Sequence, residues 1–266
     1  MKEPTTAPKR TRRSVQSVDR ALDLLEGLSA ADGEVSITAL AARTGLHVST
    51  VHRLLATLLR RGYVRQNPET SRYYAGAKLV TLADGRSRFG EIRVRARPIL
   101  RAITEATRET ANLVVLDDTT AVYIDTVPSP QVVRLFTAIG NRVPLHATGA
   151  GKCLLAAMPS AKRDTLLDRL DLRAYTPHTI VEPTALRRAL DEARERGFTI
   201  DDEEYDDGVR CVALPVGGMN DAVAAISVSA PASRFSRQRC LDLVPLLRRS
   251  AAELAAALRE RGDASA

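Results

Sequence analysis

The sequence has no tryptophan, and six tyrosines and four phenylalanines are all its aromatic residues in 266, so Ala, Leu and Val must build the core. It lacks any run near the roughly 18 consecutive apolar residues of a membrane helix, which argues against a membrane protein. Met1–Arg13 is basic and polar with no apolar stretch behind it, unlike a secretory signal. Cysteine is scarce. Cys153, Cys211 and Cys240 lie 58 and 29 residues apart with no C-x-x-C, a usage that fits reduced thiols in a cytoplasmic protein and argues against a structural zinc site. The four histidines show no H-x-x-x-H pair, so neither a metal nor another cofactor is expected.

A chain of this length suggests two domains, and 44% hydrophobic residues suffice for sizeable cores. The net charge of +7 is unevenly placed: residues 1–91 carry 15 Lys/Arg against nine Asp/Glu, residues 92–266 carry 24 against 23. Such asymmetry points to a polyanionic partner for the N-terminal third, nucleic acid before a membrane surface. Lys9, Arg10, Arg12 and Arg13 alone supply four charges, so the pattern that follows them must decide.

Val18, Leu22, Leu25 and Leu28 recur at helical spacing, and Asp32-Gly33 breaks that helix. Ser36 offers an N-cap for a short helix with Ile37, Leu40 and Ala41 inward and Gly45 as its stop. A third helix runs from after Leu46 to about Arg61 with Val51, Leu54, Leu55 and Leu58 on one face. Tyr63-Val64-Arg65 and Arg72-Tyr73-Tyr74 then flank the polar turn Asn67–Ser71, which reads as a small hairpin. Helix, short helix, Gly turn, helix and hairpin is the order of a winged helix-turn-helix that binds double-stranded DNA; a helical protein-docking module is the other reading. On the third helix Ser49, Thr50, His52, Arg53 and Thr57 oppose the apolar face. Short hydroxyls allow close entry to the major groove, and His52 and Arg53 are long enough for base edges or phosphates. Arg65 and Arg72 of the hairpin suit phosphate or minor groove, whereas a merely solvated polar face is the bland reading.

These stretches, Ser17–Leu22, Leu40–Leu46 and Ser49–Leu55, resemble the N-terminal domain of the IclR family of bacterial transcriptional regulators. His47 departs from the Ser, Pro or Lys that often opens the recognition helix there. The resemblance continues through Val143–Lys152, Gly197–Glu204, Gly208–Ala213 and Ile226–Pro231. It spans nearly the whole chain, leaving about 13 N-terminal and a few C-terminal residues outside. It implies a GAF-like effector-binding domain, in dimers or dimers of dimers, reading a palindromic operator.

The remaining pattern agrees with an α+β fold. Residues 77–97 read as an Arg-rich helical connector (Arg86, Arg88, Arg93, Arg95, Arg97) with Leu79, Leu82, Phe89 and Ile92 available as a seam to a second subunit. Pro98 suggests a new helix start. The domains expected are therefore 14–76, 77–97 and 98–262. Residues 113–116, 121–124, 132–136, 211–216 and 222–229 are β-type runs, and 150–157, 160–169, 183–196 and 238–259 are helical, without βαβ alternation; an antiparallel sheet is expected.

Thr148-Gly149-Ala150-Gly151-Lys152 is not a nucleotide loop: five positions before Gly151 stands His146, and Cys153 follows Lys152. It reads as a Gly-rich helix start whose free N–H groups could hold a small anion without help from Lys152; a tight turn needing φ > 0 is the alternative. Six carboxylates in the seven positions 201–207 read as a solvated acidic loop. The resemblance implies a small-acid effector on Gly149 and Ala150, with Asp201 facing it, Glu203 and Glu204 ordering the loop, and Leu135, Val143, Ala147, Cys211, Ser227 and Ser229 around it. Cys211 has no visible base, so a regulator is favoured and no enzyme is expected. An enzyme that transforms a small acid, with an accessory N-terminal domain, is the alternative.

Overall fold

A computed structural model of the chain describes residues 14–31, 33–84, 88–220 and 222–259. The basic cluster at Lys9–Arg13, Asp32, Arg86 and the residues past 259 lie outside them. The chain divides into two compact units, Met1–Ser87 and Arg88–Ala266. Among the described residues no helix is long and apolar enough to cross a membrane.

The N-terminal unit contains α1 (Gln16–Ser29), α2 (Ile37–Thr44), α3 (Val48–Arg60), the hairpin β1 (Val64–Gln66) and β2 (Tyr73–Ala75), and α4 (Ala77–Asp84). Ser36 caps α2 by accepting the Ala39 N–H at 3.2 Å, and Gly45 ends it at φ +66°. Leu24, Leu28, Leu40, Val51, Leu55, Val64 and Tyr73 form the core, each buried aliphatic side chain contributing about 1.5–3 kcal/mol. The stripe expected on α1 is displaced. Leu24 and Leu28 are buried, whereas Val18 (53%) and Leu22 (50%) stay exposed. Leucines at both 24 and 25 give α1 two adjacent apolar faces, and packing of α2 and α3 selects the one that spacing did not. The hairpin is pinned to the loop before α2: Val35 pairs with Tyr73, and the Glu34 carboxylate accepts from Asn67 Nδ2 (2.6 Å) and Thr70 Oγ1 (2.7 Å).

The C-terminal unit runs α5 (Arg88–Thr107), β3 (Thr110–Asp117), β4 (Thr120–Val127), β5 (Arg142–Pro144), α6 (Gly149–Ala156), α7 (Ser160–Leu167), α8 (Pro183–Arg196), β6 (Thr199–Asp202), β7 (Val209–Val216), β8 (Ala224–Pro231) and α9 (Arg237–Arg259). Its sheet, order β5-β4-β3-β8-β7-β6, is antiparallel throughout. Side chains alternate at period two. Val212, Leu214, Ile226 and Val228 meet α5 and α9 on one face, while Ala213 and Ala225 meet α6, α7 and α8 on the other. The result is an α+β layered domain, as expected.

Three expectations need correction. Pro98 does not start a helix; it lies inside α5, which begins ten residues earlier. Its ring sits on the solvent side, where water can satisfy the carbonyl one turn back. The same helix buries Ile92 with Ala96, Ile99, Leu100 and Ile103 in the unit's own core, so Ile92 is not part of a seam to another subunit. Residues 132–136 are not a strand. Val132 and Phe136 (92%) are exposed because the outer edge of β4 pairs with β5 instead, and β-propensity without a partner yields no ladder.

Candidate functional site

The face of α3 opposite Val51, Leu55 and Leu58 carries exposed Ser49, His52, Arg53 and Thr57, with Thr50 half-buried. The helix contains no Asp or Glu. His47 is its N-cap: Nδ1 accepts from the Ser49 N–H (3.4 Å) and lies 2.9 Å from Ser49 Oγ. The unusual residue at this position thus does the work of a conventional cap. Thr57 Oγ1 turns back to the Arg53 carbonyl at 3.3 Å. Arg65 and Arg72 are exposed on the hairpin. Sequence reasoning missed exposed Arg60, although it lies seven residues after Arg53 and so on the same face. The whole is a cationic, hydroxyl-bearing ridge with a basic wing.

In the second unit, sheet register assembles a site from distant segments. Asp201 lies opposite Cys211 and Cys211 opposite Ser229, one row across β6, β7 and β8. Above that row α6 begins. Thr148 caps it by accepting the Gly151 N–H at 3.2 Å while donating to the Pro144 carbonyl at 2.8 Å, which leaves the N–H groups of Gly149 and Ala150 without an intrahelical acceptor. Thr199 Oγ1 donates to the Gly149 carbonyl at 2.7 Å and ties the helix start to β6. Gly149 and Gly151 do not have positive φ, so the tight-turn reading fails; close approach is the reason for glycine. A Cβ on Gly151 would stand 2.5 Å from the Leu145 carbonyl oxygen, and one on Gly149 would stand 3.0 Å from Cys211 Sγ and 3.5 Å from Asp201 Cβ.

A cavity of about 400 Å³ opens between this helix start and the sheet. Leu135, Val143, Gly149, Ala150, Asp201, Cys211 and Ser229 all line it. Ala147 and Ser227 do not. Ala147 is fully buried, and Ser227 lies one row further along β8, between Ala213 and Asn112, where it accepts from Asn112 Nδ2. Sequence reasoning missed Tyr123, Phe136, Tyr205 and Arg142 of the lining. Arg142 is tied to Asp117 at 2.7 Å.

The acidic run is a solvated loop only at its end, where Asp206 and Asp207 are exposed. Asp201 (4% exposed) and Glu204 are buried. Lys152 Nζ pairs with Glu204 Oε1 and donates to the Ile200 carbonyl at 2.8 Å, while Arg210 engages both Asp202 and Glu203. Thr176 and Thr179 donate to the carbonyls of Glu203 (2.7 Å) and Glu204 (2.6 Å). Counter-charges drawn from α6 and β7 make the burial tolerable. Lys152 is therefore a structural cation and not a dispensable one.

Burial pushes the Asp201 carboxyl up to about 7, although the Glu204 N–H and Lys152 pull the other way. Burial, reinforced by Asp201, pushes the Cys211 thiol up to about 12, and Cys153 and Tyr123 also rise through burial. Cys211 is a thiol at neutral pH and a poor nucleophile. Among the described residues no cluster of His, Cys, Asp or Glu could hold a metal ion.

Two family models match the chain: the IclR helix-turn-helix domain over residues 17–68 and the bacterial transcriptional regulator IclR C-terminal domain over 89–256. The acetate operon repressor of Salmonella typhimurium is 38% identical over 253 residues, covering 94% of this chain and 92% of that protein. Among solved structures, the Thermotoga maritima IclR superposes with a TM-score of 0.75 at 29% identity, covering 91% of this chain and 98% of that one. An IclR homologue from Microbacterium hydrocarbonoxydans, complexed with 4-hydroxybenzoate, has the same fold (TM-score 0.73, 23% identity, 92% and 99% covered).

Proposed function

The chain belongs to the IclR family of transcriptional regulators, and from that premise we propose that a small organic acid in the C-terminal cavity controls its affinity for DNA. It is a DNA-binding regulator and not an enzyme, and the raised Cys211 thiol offers no activated nucleophile. One observation carries the proposal: the start of α6 opens into the cavity with two N–H groups unclaimed by the helix. Such a terminus favours an anion through both its donors and the helix dipole. The acid's carboxylate meets Gly149 and Ala150; Leu135 and Val143 form apolar wall, and Cys211 and Ser229 the floor.

On the DNA side, Arg53 and His52 reach bases, Ser49, Thr50 and Thr57 permit close approach, and Arg65 and Arg72 meet backbone or minor groove. Two such helices reading a palindrome require at least a homodimer. Three unpaired thiols suit the reducing cytoplasm.

The test is a thermal-shift panel of acetate, benzoate and 4-hydroxybenzoate, because ligand held by the native state raises the melting temperature. Calorimetry on Gly149→Val follows for any acid that binds. Its side chain would occupy the anion's place, so binding should be lost; equal affinity in a folded variant would put the site elsewhere.

A further inference from the structure

Among the described residues, the cavity assigned above to an anion is lined by no cation without an acidic partner. Of the charged groups lining it, Asp201 and Asp206 are acids, and Arg142 is bound to Asp117. Lys152, the cation nearest along α6, is committed to Glu204 and the Ile200 carbonyl. Asp201 lies against the helix start itself, since a Cβ on Gly149 would sit 3.5 Å from its Cβ and its backbone nitrogen. An acid seated on the N–H groups of Gly149 and Ala150 would therefore meet a second carboxyl group at close range. Two carboxylates sharing one buried site do not both stay ionised.

We propose that the acid enters the cavity together with one proton from solvent, held on Asp201, which then donates a hydrogen bond to the bound carboxylate. The inference rests on the small-acid reading above. The side chain is held ready for this: Asp201 Oδ1 accepts the Glu204 N–H at 2.8 Å, the Tyr205 N–H adds support, and no side chain among the described residues hydrogen-bonds to it. No side chain competes for the proton, which the carboxyl group, lining the cavity, can present to the ligand.

The titratable neighbours on every packed element fit this arrangement. Cys211 on β7 and Tyr123 on β4 are neutral at physiological pH, because burial raises both. Tyr205, four residues after Asp201, is raised by partial burial. Glu204 is neutralised by Lys152. Asp201 is poised to change charge near neutrality, because burial outweighs its backbone donors and Lys152. Specificity follows. The site would accept a monocarboxylate with an uncharged body and would discriminate against an acid whose second charge falls at the same end.

The experiment is calorimetry of acetate, benzoate and 4-hydroxybenzoate with the full chain between about pH 6 and about pH 8.5, in two buffers of different ionisation enthalpy. The wild type should bind with a Kd level below about pH 6.5 and weakening roughly tenfold per pH unit above about pH 7.5, with net proton uptake there. Asp201→Asn keeps a donor, so its Kd at about pH 6 should stay within roughly threefold of wild type and lose the pH slope. A flat wild-type profile, or affinity that tightens as pH rises, overturns the proton while Gly149→Val still abolishes binding and so upholds the site. The wild-type slope persisting in Asp201→Asn, or a folded Asp201→Asn that no longer binds at low pH, also overturns it. Unchanged binding by Gly149→Val, or no binding by any of the three acids at about pH 6, overturns the site and this inference together.

Discussion

In the N-terminal unit the groups assigned to DNA stand in water: His52, Arg53, Thr57, Arg65 and Arg72 are exposed on a short helix and a hairpin. In the C-terminal unit Lys152, Asp201 and Glu204 are each more than nine-tenths buried and act on one another. The contrast reflects what each must meet. A duplex offers charge along its whole backbone and is met by surface cations. A small acid must be separated from water, so the groups around it are buried with their own partners. Substitutions on the first surface should therefore alter affinity and spare stability, whereas those in the second site should alter both.

The largest effect should come from Lys152→Glu, which places a carboxylate beside Glu204. Removing one partner of a buried pair costs about 3–5 kcal/mol, and reversal exceeds it, so denaturant melts should show the C-terminal unit unfolding first. Next comes Asp201→Asn. With a folded value of about 7 against an ordinary 3.8, the native state holds an extra proton between those values. The stability that Asp201 contributes is thus full below about pH 4 and declines as pH rises to about 7. The Asn variant escapes the loss and should be more stable above pH 7, by at most about 4 kcal/mol, with the gap closing toward about pH 4; thermal melts across pH would show it. Smaller still, Arg53→Ala should weaken specific DNA by about 1–3 kcal/mol with melting unchanged, while Arg65→Ala should weaken all sequences and flatten the salt dependence. Gel-shift titrations on a fragment selected from random DNA by the protein separate the two.

The smallest effect concerns Glu34. Hydrogen bonds from Asn67 and Thr70 hold its carboxyl below the ordinary carboxylate range. That contribution is present above the ordinary value and lost as pH falls through the lowered one. Glu34 is half-buried and its partners lie in a surface turn, so Glu34→Ala should leave global stability nearly unchanged. Faster amide exchange confined to the hairpin turn is the expected sign.

The same contrast explains what the sequence disclosed. Helix α3 was legible because Val51, Leu55 and Leu58 at helical spacing leave the polar residues outward, and Ser36 and Gly45 mark the neighbouring helix's ends. The face of α1 was misjudged because consecutive leucines at 24 and 25 satisfy two spacings, and only tertiary packing chooses. The cavity was legible by resemblance alone. Asp201, Cys211 and Ser229 become neighbours through strand register, which no local pattern encodes. The resemblance implied Ser227 together with Ser229, yet a single row of the sheet separates the cavity floor from covered core. The acidic run misled for a related reason: its counter-charges, Lys152 and Arg210, come from other elements.

The central claim is that an acid in the cavity changes DNA affinity, and the direct measurement is operator affinity at fixed salt with and without that acid. The probe is the same selected DNA fragment, and the acid is whichever of the panel binds wild type. A ligand shifts an equilibrium only through differential affinity for its states, so wild type should change its DNA affinity about fivefold or more on saturation. Gly149→Val should show no change on adding the acid. Equal DNA affinity with and without a saturating, calorimetrically proven ligand would contradict the account.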